Sequence, residues 1–433
     1  MTKMRHTRFK LLATFVLAVV LFAPSSGLFT AEQSFGQQTP AGQKVIKDPP
    51  EYNAYLAALN TQDPAQKGAA MEAFLSQYPA SVVKIDALEQ AMAAYQQAGN
   101  VAKVTSMANR LLELDPGNVR ALAIVTFLNR SLASQGDAKA LAEVRVDSEK
   151  GLKALPGLQK PEGTSDADFE KMRKQMAVIF QGAAGFAALQ AKDYPAARDH
   201  YMQSIENDPN NLQDVYQLSV AELEMKPVDP NGFWYVAKAF QLAQGNAAGQ
   251  KSIADYGKAK YRKYHGGEDG WDQLVAATAN QSSRPADFSV KPALTPAEIA
   301  VKAVQDNAPG DLSFGDYEYV LSFRDASPAN KDAADKVMQA ILEKEKQGAA
   351  KMKLPVKVIS ATAGTIQAAI TDDNQQANKA DLQITLTKPM LHPPAAGVTV
   401  DIVGVITDYA LNPFTFIMKD AEVAKPAGAT AKP

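Results

Sequence analysis

The sequence predicts an α+β chain: an N-terminal all-α superhelix of stacked helix pairs, then a small C-terminal five-stranded β barrel or sandwich. Three observations predict it. Apolar residues recur at helical spacing from Glu51 to about Gly245, with breaks at Asp-Pro, Asn-Pro and Gly-Asn signals. Two of the breaks, LLELDPGN ending at Asn118 and IENDPNN ending at Asn211, read alike and point to an internal repeat. From Leu354 the spacing changes to strict alternation in five short runs.

Taken in order, the chain opens with Lys3, Arg5, Arg8 and Lys10, followed by the apolar Leu11 to Ala23 (LLATFVLAVVLFA) and the small residues of Pro24-Ser25-Ser26-Gly27. Basic, apolar and small residues in that order are the pattern of a secretory signal peptide, here residues 1–27. The apolar run falls short of the roughly 17 residues that cross a bilayer comfortably. An inner-membrane anchor through residues 11–29 is the alternative. Residues 28–50 are polar with scattered Gly and Pro and read as a flexible linker. The chain is therefore expected outside the cytoplasm, in a bacterial periplasm or cell envelope, where chemistry on ATP or NAD is disfavoured.

Composition narrows the function classes. The 433 residues include 45 basic and 47 acidic side chains, a net charge of −2, which argues against a nucleic-acid protein. Absence of cysteine excludes disulfides, a lipoprotein anchor, thiolate metal sites and thiol nucleophiles. A chain of this length buries enough core to do without disulfides.

The repeat is clearest in Gly185 to Asn211 (GFAALQAKDYPAARDHYMQSIENDPNN). With Pro209 as the closing proline, Val178 to Asn211 forms one unit. Gly185 and Ala197 fall at small positions of this unit, and Tyr194 and Tyr201 at its aromatic positions. A second unit, Ile85 to Asn118, places Tyr95 at the aromatic position, Ala108 in the second helix and Pro116 at the close. Pro79 closes an earlier unit, Pro156 a later one, and Leu212 to about Gly245 makes a fifth; the interval between Pro156 and Val178 breaks the period. These residues resemble the tetratricopeptide (TPR) family of helix-turn-helix repeats. The resemblance covers a little under half the chain, with Ala188 where the family usually has tyrosine. The repeat domain is expected over 51–280. A linker follows over 281–293, then a helical connector over 294–350, opened by Thr295-Pro296-Ala297-Glu298.

The resemblance implies a superhelix whose first helices line a concave face that binds proteins or peptides and does no chemistry. In this register the face includes Glu89, Gln96, Gln97, Phe186, Gln190, Gln213 and Tyr216. Any one of these is more often a solvated helix residue than a contact. The face as a whole is the candidate partner-binding groove. The basic clamp that some TPR domains use for a C-terminal carboxylate is not apparent among these Gln, Glu and aromatic positions.

Between 351 and 423 the alternating runs start at Leu354, Ile366, Leu382, Val398 and Phe414, and Asp372-Asp373 is expected in a hairpin turn. Gly404 and the return through Asn412-Pro413 suggest a closed barrel, and GVITDYALNPFTFIMKDAEV resembles the end of an OB-fold. Lys388 to Gly397 leaves no room for the helix that OB-folds usually carry between strands three and four, so a sandwich or open sheet stays open. Six lysines against seven acids disfavour nucleic acid here. Phe414 and Phe416 are expected in the core, and residues 424–433 form a disordered tail.

No catalytic constellation emerges. The four histidines are far apart, and no zincin, nucleophile-elbow, phosphate-loop or calcium-loop motif is present. No cofactor and no metal is expected. Tyr256 to Leu274 interleaves basic residues with tyrosines, read as a solvated helix face with its rings packed inward and ended by Gly266-Gly267. The expectation is a non-enzymatic scaffold binding envelope proteins or peptides; the alternative is a ligand-binding protein that uses the OB-like β module for a glycan or other small polymer.

Overall fold

The structure, a computed structural model, describes residues 45–161, 163–281, 283–347 and 351–424. The expected signal, most of the 28–50 linker and the tail from 425 lie outside the described residues. The chain divides into two compact units after Lys291.

The first unit is five antiparallel helix pairs and two closing helices: α1 (Pro49–Leu59) and α2 (Pro64–Gln77), α3 (Lys84–Gln97) and α4 (Val101–Leu114), α5 (Val119–Ser134) and α6 (Ala138–Ala154), α7 (Asp166–Gln190) and α8 (Tyr194–Asn207), α9 (Leu212–Glu224) and α10 (Gly232–Leu242), then α11 (Ala247–His265) and α12 (Trp271–Thr278). Turn chemistry repeats with the pairs. Asp63, Asn100, Asp137 and Asp193 cap the second helices through the N–H groups of Gln66, Lys103, Ala140 and Ala196, each cap contributing about 1 kcal/mol. At the Asp-Pro turns, Asp115 and Asp208 accept from Gly117 N and Asn210 N, both at 3.1 Å. Asn118 and Asn211 then cap α5 and α9. Pro116 and Pro209 are exposed in these turns, where their missing N–H prevents the helix from continuing.

Small residues let the helices approach. A Cβ on Gly185 (α7) would lie 3.0 Å from the Tyr201 ring (α8). Successive pairs use the same device: Gly68 meets Tyr95, and Gly151 meets Phe180. Ala108, Ala197 and Tyr201 are fully buried, Tyr95 nearly so, and Tyr194 is half-buried at the start of α8. At these three positions close approach, not a positive φ, calls for glycine. The broken interval before Val178 has a simple form. α7 starts at Asp166, so it runs about three turns longer than the repeat requires.

Two stretches differ from expectation. Residues 283–291, expected as linker, lie against α10: Phe288 packs edge-on to Trp234 at 5.5 Å, and the His265 ring bonds the Lys291 carbonyl at 2.8 Å. An aromatic and an aliphatic residue, Phe288 and Val290, supply apolar surface worth burying. The expected 294–350 connector is part of the second unit. Its helices α13 (Pro296–Asp306), α14 (Phe314–Ser322) and α15 (Pro328–Gln347) share one core with the barrel through Ala300, Tyr317, Val320, Val337 and Ile341. The Thr295–Glu298 capping box at α13 forms as expected.

That barrel is closed, which excludes the sandwich and the open sheet. Strands β1 (Met352–Ala361), β2 (Thr365–Ala369), β3 (Leu382–Leu386), β4 (Thr399–Leu411) and β5 (Phe414–Val423) run in the order β1-β2-β3-β5-β4, and β4 pairs back to β1. β3 and β5 are parallel; all other pairs are antiparallel. Val356, Val358, Ile366, Ile384, Ile402, Phe416 and Met418 fill the interior. Phe414 is also buried, whereas Val398 precedes β4 and is 46% exposed. Gly404 sits where the β4–β5 register shifts, and a Cβ there would lie 2.8 Å from Ala421 Cβ and Met418 Sδ. Asp372-Asp373 does not form a hairpin turn. It begins a short helix, α16 (Asp372–Ala377), between β2 and β3, because acidic side chains also favour a first helical turn. Asp381 ties this corner together, accepting from Ile370 N (2.7 Å), Thr371 N (3.0 Å), Thr371 Oγ1 (2.8 Å) and Asn374 Nδ2 (3.0 Å).

Candidate binding groove

The first unit contains a groove of about 720 Å³ between α4–α5 and the extended N-terminal half of α7. Its α7 wall is Ala167, Glu170, Lys171, Lys174, Gln175 and Val178, steps of three and one that define a single helix face. Its α5 wall is Arg120, Ala123, Ile124, Phe127 and Leu128, again one face. Val104, Met176 and Ile179 add apolar surface, and Gln96, Asn207 and Asp208 close the ends. The three extra turns of α7 thus create one whole side of the groove.

The charges at the mouth are unequal. Glu170 is paired with Arg173 at 3.0 Å, and Arg120 lies 4.0 Å from Glu89. Lys171 and Lys174 are exposed and make no ion pair among the described residues.

Of the expected first-helix residues, Gln96 alone lines this groove. Glu89 holds Arg120 while accepting from Asn118 Nδ2 at 2.9 Å. Gln97 and Gln190 are exposed and Gln213 half-buried. Tyr216 packs edge-on to Tyr256 at 5.9 Å, and burial, with Glu224 nearby, pushes its hydroxyl up to about 12. Phe186 departs from expectation. It is 5% exposed, packed with Ala133 of α5 and Ala140 and Val144 of α6, because the preceding helix pair covers that face. The groove residues of α7 escaped the sequence reading because they lie upstream of the repeat boundary at Val178. An apolar helical stripe running upstream of that boundary was the available signal.

Beside the groove a buried ion pair links three first helices. Arg130 Nη2 (α5) meets Asp214 Oδ1 (α9) at 2.7 Å, with Asp214 fully buried. Ser204 Oγ (α8) donates to the other carboxylate oxygen at 2.6 Å. The pair passes over Gly182 of α7, where a Cβ would lie 2.4 Å from Asp214 Oδ2 and 2.5 Å from Arg130 Nη1. The pair holds α5, α7 and α9 in register, an arrangement suited to rigidity rather than chemistry.

At the far end of α9, Glu222 is 3% exposed and its Oε2 has no hydrogen-bond partner among the described residues. Burial, and then Asp229, push its carboxyl up to about 8. In α11 three of the basic residues are engaged with acids: Lys258 and Arg262 with Glu268, and Lys260 with Glu224. Tyr261 is buried and Tyr256 and Tyr264 half-buried, as expected of an inward-packed tyrosine face. Trp271 and Leu274 dock α12. His200 bonds Gln181, and no group of three or more His, Asp or Glu is arranged to hold a metal among the described residues. No helix there is long and apolar enough to cross a membrane. Compared with known proteins, the chain matches no family model and no curated relative.

Proposed function

We propose that the chain is a non-enzymatic, TPR-type scaffold of the cell envelope that binds partner proteins or peptides on its stacked helix pairs. The observation behind this reading is the apolar groove between α5 and α7, since a concave, mostly apolar surface with a few polar groups is what recognition sites look like. The test is site-specific photocrosslinking in envelope extract, with the reactive residue at Gln175 in the groove or at exposed Asp272 on α12. A discrete adduct set from position 175 and not from 272 is the expected result. The same adducts from both positions, or none from 175, would overturn it.

A second reading rests on the barrel. A closed five-stranded barrel with β3 parallel to β5 and β4 paired to β1 resembles an OB-fold that lacks a helix between β3 and β4 and is preceded by α13–α15. Such barrels bind oligosaccharides as well as nucleic acids, and the near-neutral charge favours the former. A glycan array probed with the full chain tests this; an empty array removes it.

A further inference from the structure

We propose that the segment received by the α5–α7 groove is an acidic amphipathic helix of a partner protein, an inference that rests on the scaffold reading above. The shape of the groove, its interior chemistry and its rim charge carry it. The α7 stripe from Ala167 to Val178 is about 16 Å long, the length of three helical turns. Both walls are helix faces, so the slot between them matches the ridge of a third helix.

The interior chemistry selects the conformation of the occupant. Val104, Ile124, Met176 and Ile179 offer no hydrogen bonds. An extended peptide would press unpaired N–H and C=O groups against them, which is unfavourable. A helix satisfies its own backbone and presents only side chains. The groove therefore takes apolar residues spaced i, i+3, i+4 and i+7.

The mouth selects the charge. Lys171 and Lys174 stand one turn apart on the exposed edge of the α7 wall without an ion pair among the described residues, while neighbouring Glu170 is already held by Arg173. Acidic residues flanking the apolar face of the incoming helix meet those two ammonium groups. Such rim charges set partner choice and encounter rate more than total affinity.

The experiment uses the full chain and labelled synthetic peptides of about 16 residues, long enough to form helix on binding. One peptide has a leucine face flanked by Glu, one has the same face flanked by Lys, and one is the Glu peptide with a central proline. Fluorescence anisotropy reads binding. The Glu peptide is expected to bind and the proline peptide not. Lys171→Glu with Lys174→Glu should weaken the Glu peptide about tenfold at low salt, strengthen the Lys peptide, and lose both effects as salt rises. A fold defect cannot invert the preference in this way. Equal binding by the proline peptide, no binding of the Glu peptide, or failure of the charge swap would each overturn the proposal. If crosslinking from position 175 still captures partners in those cases, the scaffold reading stands and only the helix and charge assignment fails; if both experiments fail, both readings fall.

Discussion

Gly182→Ala is the most informative single substitution in the helical unit. Its effect can be worked from the geometry. Ala gains about 1 kcal/mol over Gly in a helix interior. Its Cβ would lie 2.4 Å from Asp214 Oδ2 and 2.5 Å from Arg130 Nη1, so the buried pair must separate or α7 must move away from α5 and α9. Breaking a buried pair of this kind costs about 3–5 kcal/mol. The net expectation is a loss of about 2–4 kcal/mol. Tryptophan fluorescence in urea provides the assay, because the only two tryptophans, Trp234 and Trp271, are both buried in the first unit. At a slope of about 3 kcal/mol per molar, the midpoint falls by about 1 M. The control is the same substitution in an Arg130→Ala, Asp214→Ala background, where the space is vacant and Gly182→Ala should be neutral or stabilising. An equal loss in both backgrounds would refute the idea that glycine is required to seat the ion pair.

Other expectations follow from single residues. Glu222 has its carboxyl raised to about 8 by burial and Asp229, so the folded state holds its proton where the unfolded chain has released it. Its contribution is complete below about 4.5 and declines as pH rises through about 8; Glu222→Gln should flatten the stability of the helical unit over that window, and an unchanged pH profile would reject it. In the second unit, Asp381→Asn replaces an acceptor of four hydrogen bonds by a group with two donors of its own, and should cost about 2–4 kcal/mol, read as faster amide exchange at Ile370 and Thr371. Gly404→Ala should lower barrel stability by about 1–2 kcal/mol, since the Cβ collides with Ala421 and the more yielding Met418; a variant with unchanged exchange in β4 and β5 would contradict the close-approach account.

Local chemistry made much of the fold legible in the sequence. Many helix starts and stops are written in residues that act within four positions of themselves: the Asp-Pro turns between pairs, the Asx caps within and between them, and the Thr295 capping box. The strand positions were likewise visible, because alternation records which side of a strand is buried, and residues 356, 366, 384, 402 and 416 do face the interior. The limits of that logic show at Val398 and Asp372. An apolar residue at the right spacing was left outside β4, and an acidic pair suited to a turn served equally well as a helix start.

Tertiary structure decided what depends on partners distant in sequence. The five runs close into a barrel only because β1 finds β4 and β3 finds β5, pairings between residues tens of positions apart that alternation does not specify. The segment around Phe288 is a linker by composition and a packed strap by contact, since α10 presents Trp234 to it. Phe186 sits at a concave-face position by register yet is buried, because the preceding helix pair covers it through Ala133, Ala140 and Val144. The groove itself arises from α7 starting three turns early and lying across from α5. The sequence determines where each helix and strand starts and stops, because those signals act over a few residues; which faces meet, and which surface is left open for a partner, is set by packing between elements that the chain brings together only when folded.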